Sequence, residues 1–101
     1  MSTYEDYRGE LNQLLGDFAA TVRRLRQRRP QYSQESLASD ARLHRTEMSK
    51  IECGERDPRL STLLILAEAL DVSLDTLVEG LQAPKHRRPS PQTKRGRPRG
   101  A

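Results

Sequence analysis

Leu60, Leu63, Leu64, Ala67 and Leu70 recur at intervals of three and four residues. Such a stripe lies along one side of an α-helix and cannot line one face of a strand, whose side chains alternate with period two. The same signature returns in four other short segments, and no segment sustains period-two alternation. The chain is therefore expected to be all-α, with five short helices around one compact core. A core of that size is modestly stable on its own.

The remaining segments are delimited by caps and breakers. Phe18, Val22 and Leu25 have helical spacing and are followed by a basic run and Pro30, which discourages continuation; Asp17 is placed to cap their start. Leu11, Leu14 and Leu15 lie upstream on a compatible period. They either extend this helix backwards or form a separate arm, and Gly16 is compatible with both. Ser33 caps a helix over 34–41 whose inward residues are Leu37, Ala38 and Ala41. A further short helix over 45–53 has only Met48 and Ile51 as apolar anchors, ends at Gly54, and is followed by a turn over 55–58. Ser73 caps a last helix carrying Leu74, Leu77, Val78 and Leu81. Three regions follow: an arm or helix extension over 1–16, a folded domain over 17–82 and a tail over 83–101.

Charge is divided along the same lines. From Lys85 onward there are seven basic residues and no acidic one, leaving eleven of the eighteen Lys/Arg against all fourteen Asp/Glu, a formal −3, in the rest. A mildly acidic core with a strongly cationic appendage points to nucleic acid, the alternative being a merely solubilising tail. The tail is rich in Pro, Arg, Lys and Gly and cannot bury enough surface to offset its ordering entropy, so it is expected to be disordered when free. Cys53 is the single cysteine, and His44 and His86 have no spaced partners, so neither an internal disulfide nor a metal site is expected, and no cofactor. The longest apolar run, 63–67, is far too short for a membrane span, and the start has no basic and apolar signal pattern. The expected location is the cytoplasm, at the nucleoid. Paired carboxylates, a nucleophile–base set and a phosphate loop are all lacking, which argues against an enzyme.

Two short helices joined by a tight turn, the second narrow in its apolar face, fit a helix-turn-helix. Ala38 is small enough for the second helix to cross close over the first, Leu43 plugs the turn, and Met48 with Ile51 anchors the second helix. Arg45, Thr46, Glu47, Ser49 and Lys50 are then free for a DNA groove. The run Ser33-Gln34-Glu35-Ser36-Leu37-Ala38, the run Met48-Ser49-Lys50-Ile51-Glu52-Cys53-Gly54-Glu55-Arg56-Asp57-Pro58 and the continuation over 60–74 together resemble the Cro/CI-type, or XRE, helix-turn-helix family. The resemblance covers about 17–81.

That resemblance implies a sequence-specific transcriptional regulator of bacterial type that binds double-stranded DNA. It implies that Gln34, capped by Ser33, touches a backbone phosphate and props the recognition helix. It further implies that Arg45, Thr46 and Lys50 read bases, with His44 and Glu47 flanking them. Cys53 and Arg56 fall near phosphate, and Glu52 pairs with a base on the first helix, for which Arg26 is the candidate. The chemistry agrees, because Arg or Lys can donate to guanine O6 and N7 in the major groove. Glu47 either accepts from cytosine N4 or repels phosphates.

Three positions depart from the family pattern. Arg42 stands where glycine is common, so a left-handed residue there carries strain. Cys53 replaces a polar or basic residue. Ile65 replaces an exposed polar one, so Ile65 with Leu11, Leu14 and Leu15 marks either a homodimer or partner surface, or extra core packing. In the tail, Lys94-Arg95-Gly96-Arg97-Pro98-Arg99 resembles an AT-hook, whose arginines enter the narrow minor groove of A·T tracts; the alternative is a sequence-blind basic tail. The competing function is protein interaction, as an antitoxin or bridging module that uses the same fold to hold a partner.

Overall fold

The structure is a computed structural model and describes residues 3–87. Of the tail expected to be disordered, 83–87 is described, and 88–101 with the motif over 94–99 lies outside the described residues. Among the described residues five helices follow one another: α1 Thr3–Gln27, α2 Gln34–Ala41, α3 Arg45–Glu52, α4 Leu60–Leu70 and α5 Leu74–Leu77. None of them is long and apolar enough to cross a membrane.

The first helix corrects one expectation. It runs unbroken through Gly16, so Asp17 is not a cap but a mid-helix residue that accepts a hydrogen bond from Gln13 Nε2 at 2.9 Å. The reason is continuity of the apolar face. Leu15 is buried, Leu11 and Leu14 are half-buried, and Phe18, Val22 and Leu25 continue the same side into the core. Leu14 and Leu15 line a hollow with Phe18, Pro58, Leu63 and Leu81; Leu15 is buried, while Leu11 and Leu14 stay partly exposed. The segment following α5 returns to α1: the His86 backbone N–H donates to Glu10 Oε1 at 2.8 Å, and its ring lies between Glu10 and Asp6.

The helix-turn-helix proper is built by local chemistry. Ser33 caps α2 by accepting from the Ser36 N–H. Arg42 ends α2 in the left-handed region at φ 56°, letting the Leu43 N–H reach back to the Ala38 carbonyl at 2.9 Å. Asp71 ends α4 in the same way, with φ 59° and a Val72 N–H to Ala67 carbonyl bond. Leu37, Ala38 and Ala41 of α2 close on Met48 and Ile51 of α3, all essentially dry. Helix α2 lies against both α3 and α4, while α1 packs on α3 and α5.

The stripe on α4 also needs correction. The buried side is Leu66, Ala67 and Leu70, with Leu63 half-buried, whereas Leu60 and Leu64 are exposed at 64% and 50%. The segment 63–67 is apolar all round, so two overlapping stripes fit its periodicity and only packing against α2 and α5 selects one. Ile65 is exposed beside Leu64. The last helix is shorter than its apolar spacing suggests, ending at Leu77, with Leu81 packed on the core beyond it.

Candidate nucleic-acid interface

Helix α3 is anchored from beneath and open above. Its underside is Met48, Ile51 and the carboxylate residue Glu52, all buried. A buried carboxylate needs partners, since leaving its charge unpaired is costly. Arg26 supplies two bonds to it, from Nε at 2.8 Å and from Nη2 at 3.0 Å, and gives a third to the Tyr32 carbonyl. Gln34 Nε2 adds a bond to Glu52 Oε1 at 3.2 Å, and Arg23 donates to the Glu52 backbone carbonyl. One carboxylate therefore ties α1, α2 and the last turn of α3 together.

The outward side of α3 has a different character. Gln34, His44, Arg45, Thr46, Ser49, Lys50 and Glu55 line one open concavity of about 540 Å³. His44 caps the helix, its Nδ1 accepting from the Thr46 N–H at 3.1 Å, so the other ring nitrogen remains to face a ligand. Arg45, Thr46 and Lys50 are exposed and Ser49 is half-buried. Arg45 lies 3.6 Å from Glu35, but both side chains are more than 70% exposed, so the contact is loose and easily exchanged. Side chains of this kind, presented from one helix, match the donors and acceptors of base edges and phosphates.

Four predicted positions lie apart from that concavity. Glu47, in the first turn of α3, is half-buried and is not among the residues that line it. Ser33 is exposed, but its hydroxyl is engaged as the α2 cap. Cys53 is exposed at the C-cap of α3, at the far end from Arg45. Arg56 turns back onto α3, its Nη2 3.1 Å from Glu47 Oε1. Sequence reasoning missed that pair because its members belong to a helix and a following loop with no fixed spacing. It also missed Arg23, Glu35 and Glu55. Only Arg23 carried a signal, standing three residues before Arg26 on the same side of α1. Tyr32, just before α2, has its hydroxyl pKa raised by burial and then by its hydrogen bond to Asp40. Arg29 stacks 4.5 Å over the Tyr32 ring and bonds the Ala69 carbonyl, joining this corner to α4.

The profile of the helix-turn-helix domain family matches residues 17–81, well over half of the chain. The chain belongs to the helix-turn-helix domain family. This helix-turn-helix protein is also 50% identical over 46 residues to the control protein C.SmaI of Serratia marcescens, covering 46% of this chain and 55% of that one. It thus spans about half the length of that curated relative. Among solved structures it is similar to the restriction-modification controller protein C.AhdI of Aeromonas hydrophila, with a TM-score of 0.59 and 36% identity. That match covers 62% of this chain and 94% of the other. These relatives agree with the Cro/CI-type resemblance. The family match begins at Asp17, so the first half of α1 and the segment after Leu81 are additions to the shared domain.

Proposed function

We propose that this protein is a sequence-specific DNA-binding transcriptional regulator that reads the major groove with α3. The observation that carries the reading is the division of α3 into two sides. Every apolar and buried group is used to seat the helix, while Arg45, Thr46, Ser49 and Lys50 face one open concavity. The names of the two relatives, a control protein and a restriction-modification controller, support a regulatory role of the same kind. The polar character of this side favours DNA over a protein partner, whose interface would place apolar groups there. The protein acts in the cytoplasm on the chromosome, and Lys94, Arg95, Arg97 and Arg99 add minor-groove or phosphate contacts to those of α3.

A second copy completes the reading. Leu60, Leu64 and Ile65 form an exposed apolar side of α4, and they suit a two-fold contact that sets two recognition helices one DNA turn apart. Of the residues first considered for a dimer surface, Ile65 lies in this patch and Leu15 is buried.

Selection from a random-sequence DNA pool across a salt series tests the reading. The full chain should enrich a palindromic site, and Arg45→Ala/Lys50→Ala should lose the preference. Removal of 88–101 should mainly lower affinity and flatten the salt dependence. Failure of the full chain to enrich any sequence at low salt would refute the proposal.

A further inference from the structure

Glu47 stands in the first turn of α3, half-buried at the edge of the proposed DNA-facing side and outside the concavity that Arg45 and Thr46 line. In isolation its charge would oppose binding. The carboxylate is not isolated, because Arg56 approaches from the loop after α3, with Nη2 3.1 Å from Glu47 Oε1. Both side chains are partly withdrawn from water, at 28% and 40% exposure, and Arg56 Nε is buried with no hydrogen-bond partner. The guanidinium is thus seated in the protein by packing, and its outer nitrogen is directed at Glu47. By contrast, Arg45 and its neighbour Glu35 are both largely in solvent.

We propose that Arg56 is a positioning residue that neutralises and orients Glu47, so that Glu47 reads a base carrying an exocyclic amine in the major groove. This inference rests on the reading of α3 as the recognition helix. Arg56 engages one carboxylate oxygen, Oε1, and Oε2 remains as an acceptor. On base edges in the major groove, the donors are the cytosine N4 amine and the adenine N6 amine, whereas guanine and thymine present acceptors there. A carboxylate held in this place accepts from the first pair and is repelled by the second. Arg56 also offsets the repulsion from flanking phosphates that an unpaired carboxylate would meet. On this inference Arg56 acts through Glu47 rather than on a phosphate.

The test is selection from a random DNA pool by the full chain and by the variants Glu47→Gln, Arg56→Ala and Arg56→Lys, with thermal melts to check folding. The unmodified protein should restrict one position of each half-site to cytosine or adenine, and the enriched sequences say which. Glu47→Gln and Arg56→Ala should relax that position roughly tenfold while the positions set by Arg45 and Lys50 keep their preference. Arg56→Lys should restore much of it, a rescue that a purely structural role would not produce. If the unmodified protein selects a site and Glu47→Gln leaves every position unchanged, Glu47 reads nothing and the inference is overturned. It is equally overturned if Arg56→Ala weakens all sequences alike and lowers the salt slope, the behaviour of a phosphate contact. Absence of any selected site in the unmodified protein overturns the regulator reading itself, and this inference with it.

Discussion

Gly54 turns the chain after α3 directly against the backbone of Gly16 in α1. A Cβ on Gly54 would lie 3.3 Å from the Gly16 Cα, and its φ of 76° is in the region that side chains resist. The relation is one-sided, since a Cβ on Gly16 meets nothing within 4 Å. Gly54→Ala should therefore destabilise by about 1–3 kcal/mol from strain and crowding. Gly16→Ala should stabilise α1 by about 0.5–1 kcal/mol. Thermal unfolding of the two single variants checks both signs.

Arg26 and Glu52 should behave as a unit. The Glu52 side chain is 2% exposed and that of Arg26 14%, so removing either leaves the other's charge buried. Glu52→Ala or Arg26→Ala is expected to cost about 3–5 kcal/mol, while the double replacement by apolar residues of similar volume should cost much less. Urea unfolding of the four proteins in a double-mutant cycle measures the difference.

Arg42 holds a left-handed conformation that glycine adopts freely. Its side chain is exposed and makes no part of the core. Arg42→Gly should raise stability by about 1 kcal/mol through relief of that strain, less the extra flexibility given to the unfolded chain. A melting temperature unchanged or lowered by the substitution would show that the strain is negligible there.

Acidification should release the segment after α5 from α1. The Glu10 carboxyl is held below its ordinary pKa, chiefly by the backbone N–H of His86 and also by hydrogen bonding and charge from the His86 ring. A carboxylate pKa lowered on folding contributes stability above its unfolded value, and that contribution is lost as pH falls through the lowered one. The His86 amide resonance should shift with the Glu10 titration below the usual carboxylate range, and Glu10→Gln should abolish the transition.

Leu64→Lys should dissociate the proposed dimer without harming the fold, because Leu64 is half exposed and opposite the buried side of α4. Sedimentation velocity should show a single monomeric species for the variant. Its unfolding free energy should match that of the parent, measured at a concentration low enough to keep the parent monomeric, within about 0.5 kcal/mol.

Local chemistry makes much of this protein legible in its sequence. Ser33 and Ser73 announce helix starts, Gly54 and Pro30 announce ends, and the two anchors Met48 and Ile51 leave one helix with a polar outer side. Each is a property of a residue and its near neighbours, so spacing alone carries it. What spacing could not decide was which side of an apolar segment faces in. Helix α4 fits two stripes equally well, and only its packing against α2 and α5 left Leu60, Leu64 and Ile65 outside. The continuity of α1 through Gly16 was likewise a matter of what lay beneath it, because burial of Leu15 and Phe18 outweighs a weak local preference. The pairing of Glu47 with Arg56 belongs wholly to the tertiary structure. A loop of no regular period brings the two together, and no pattern in the chain records where such a loop will point.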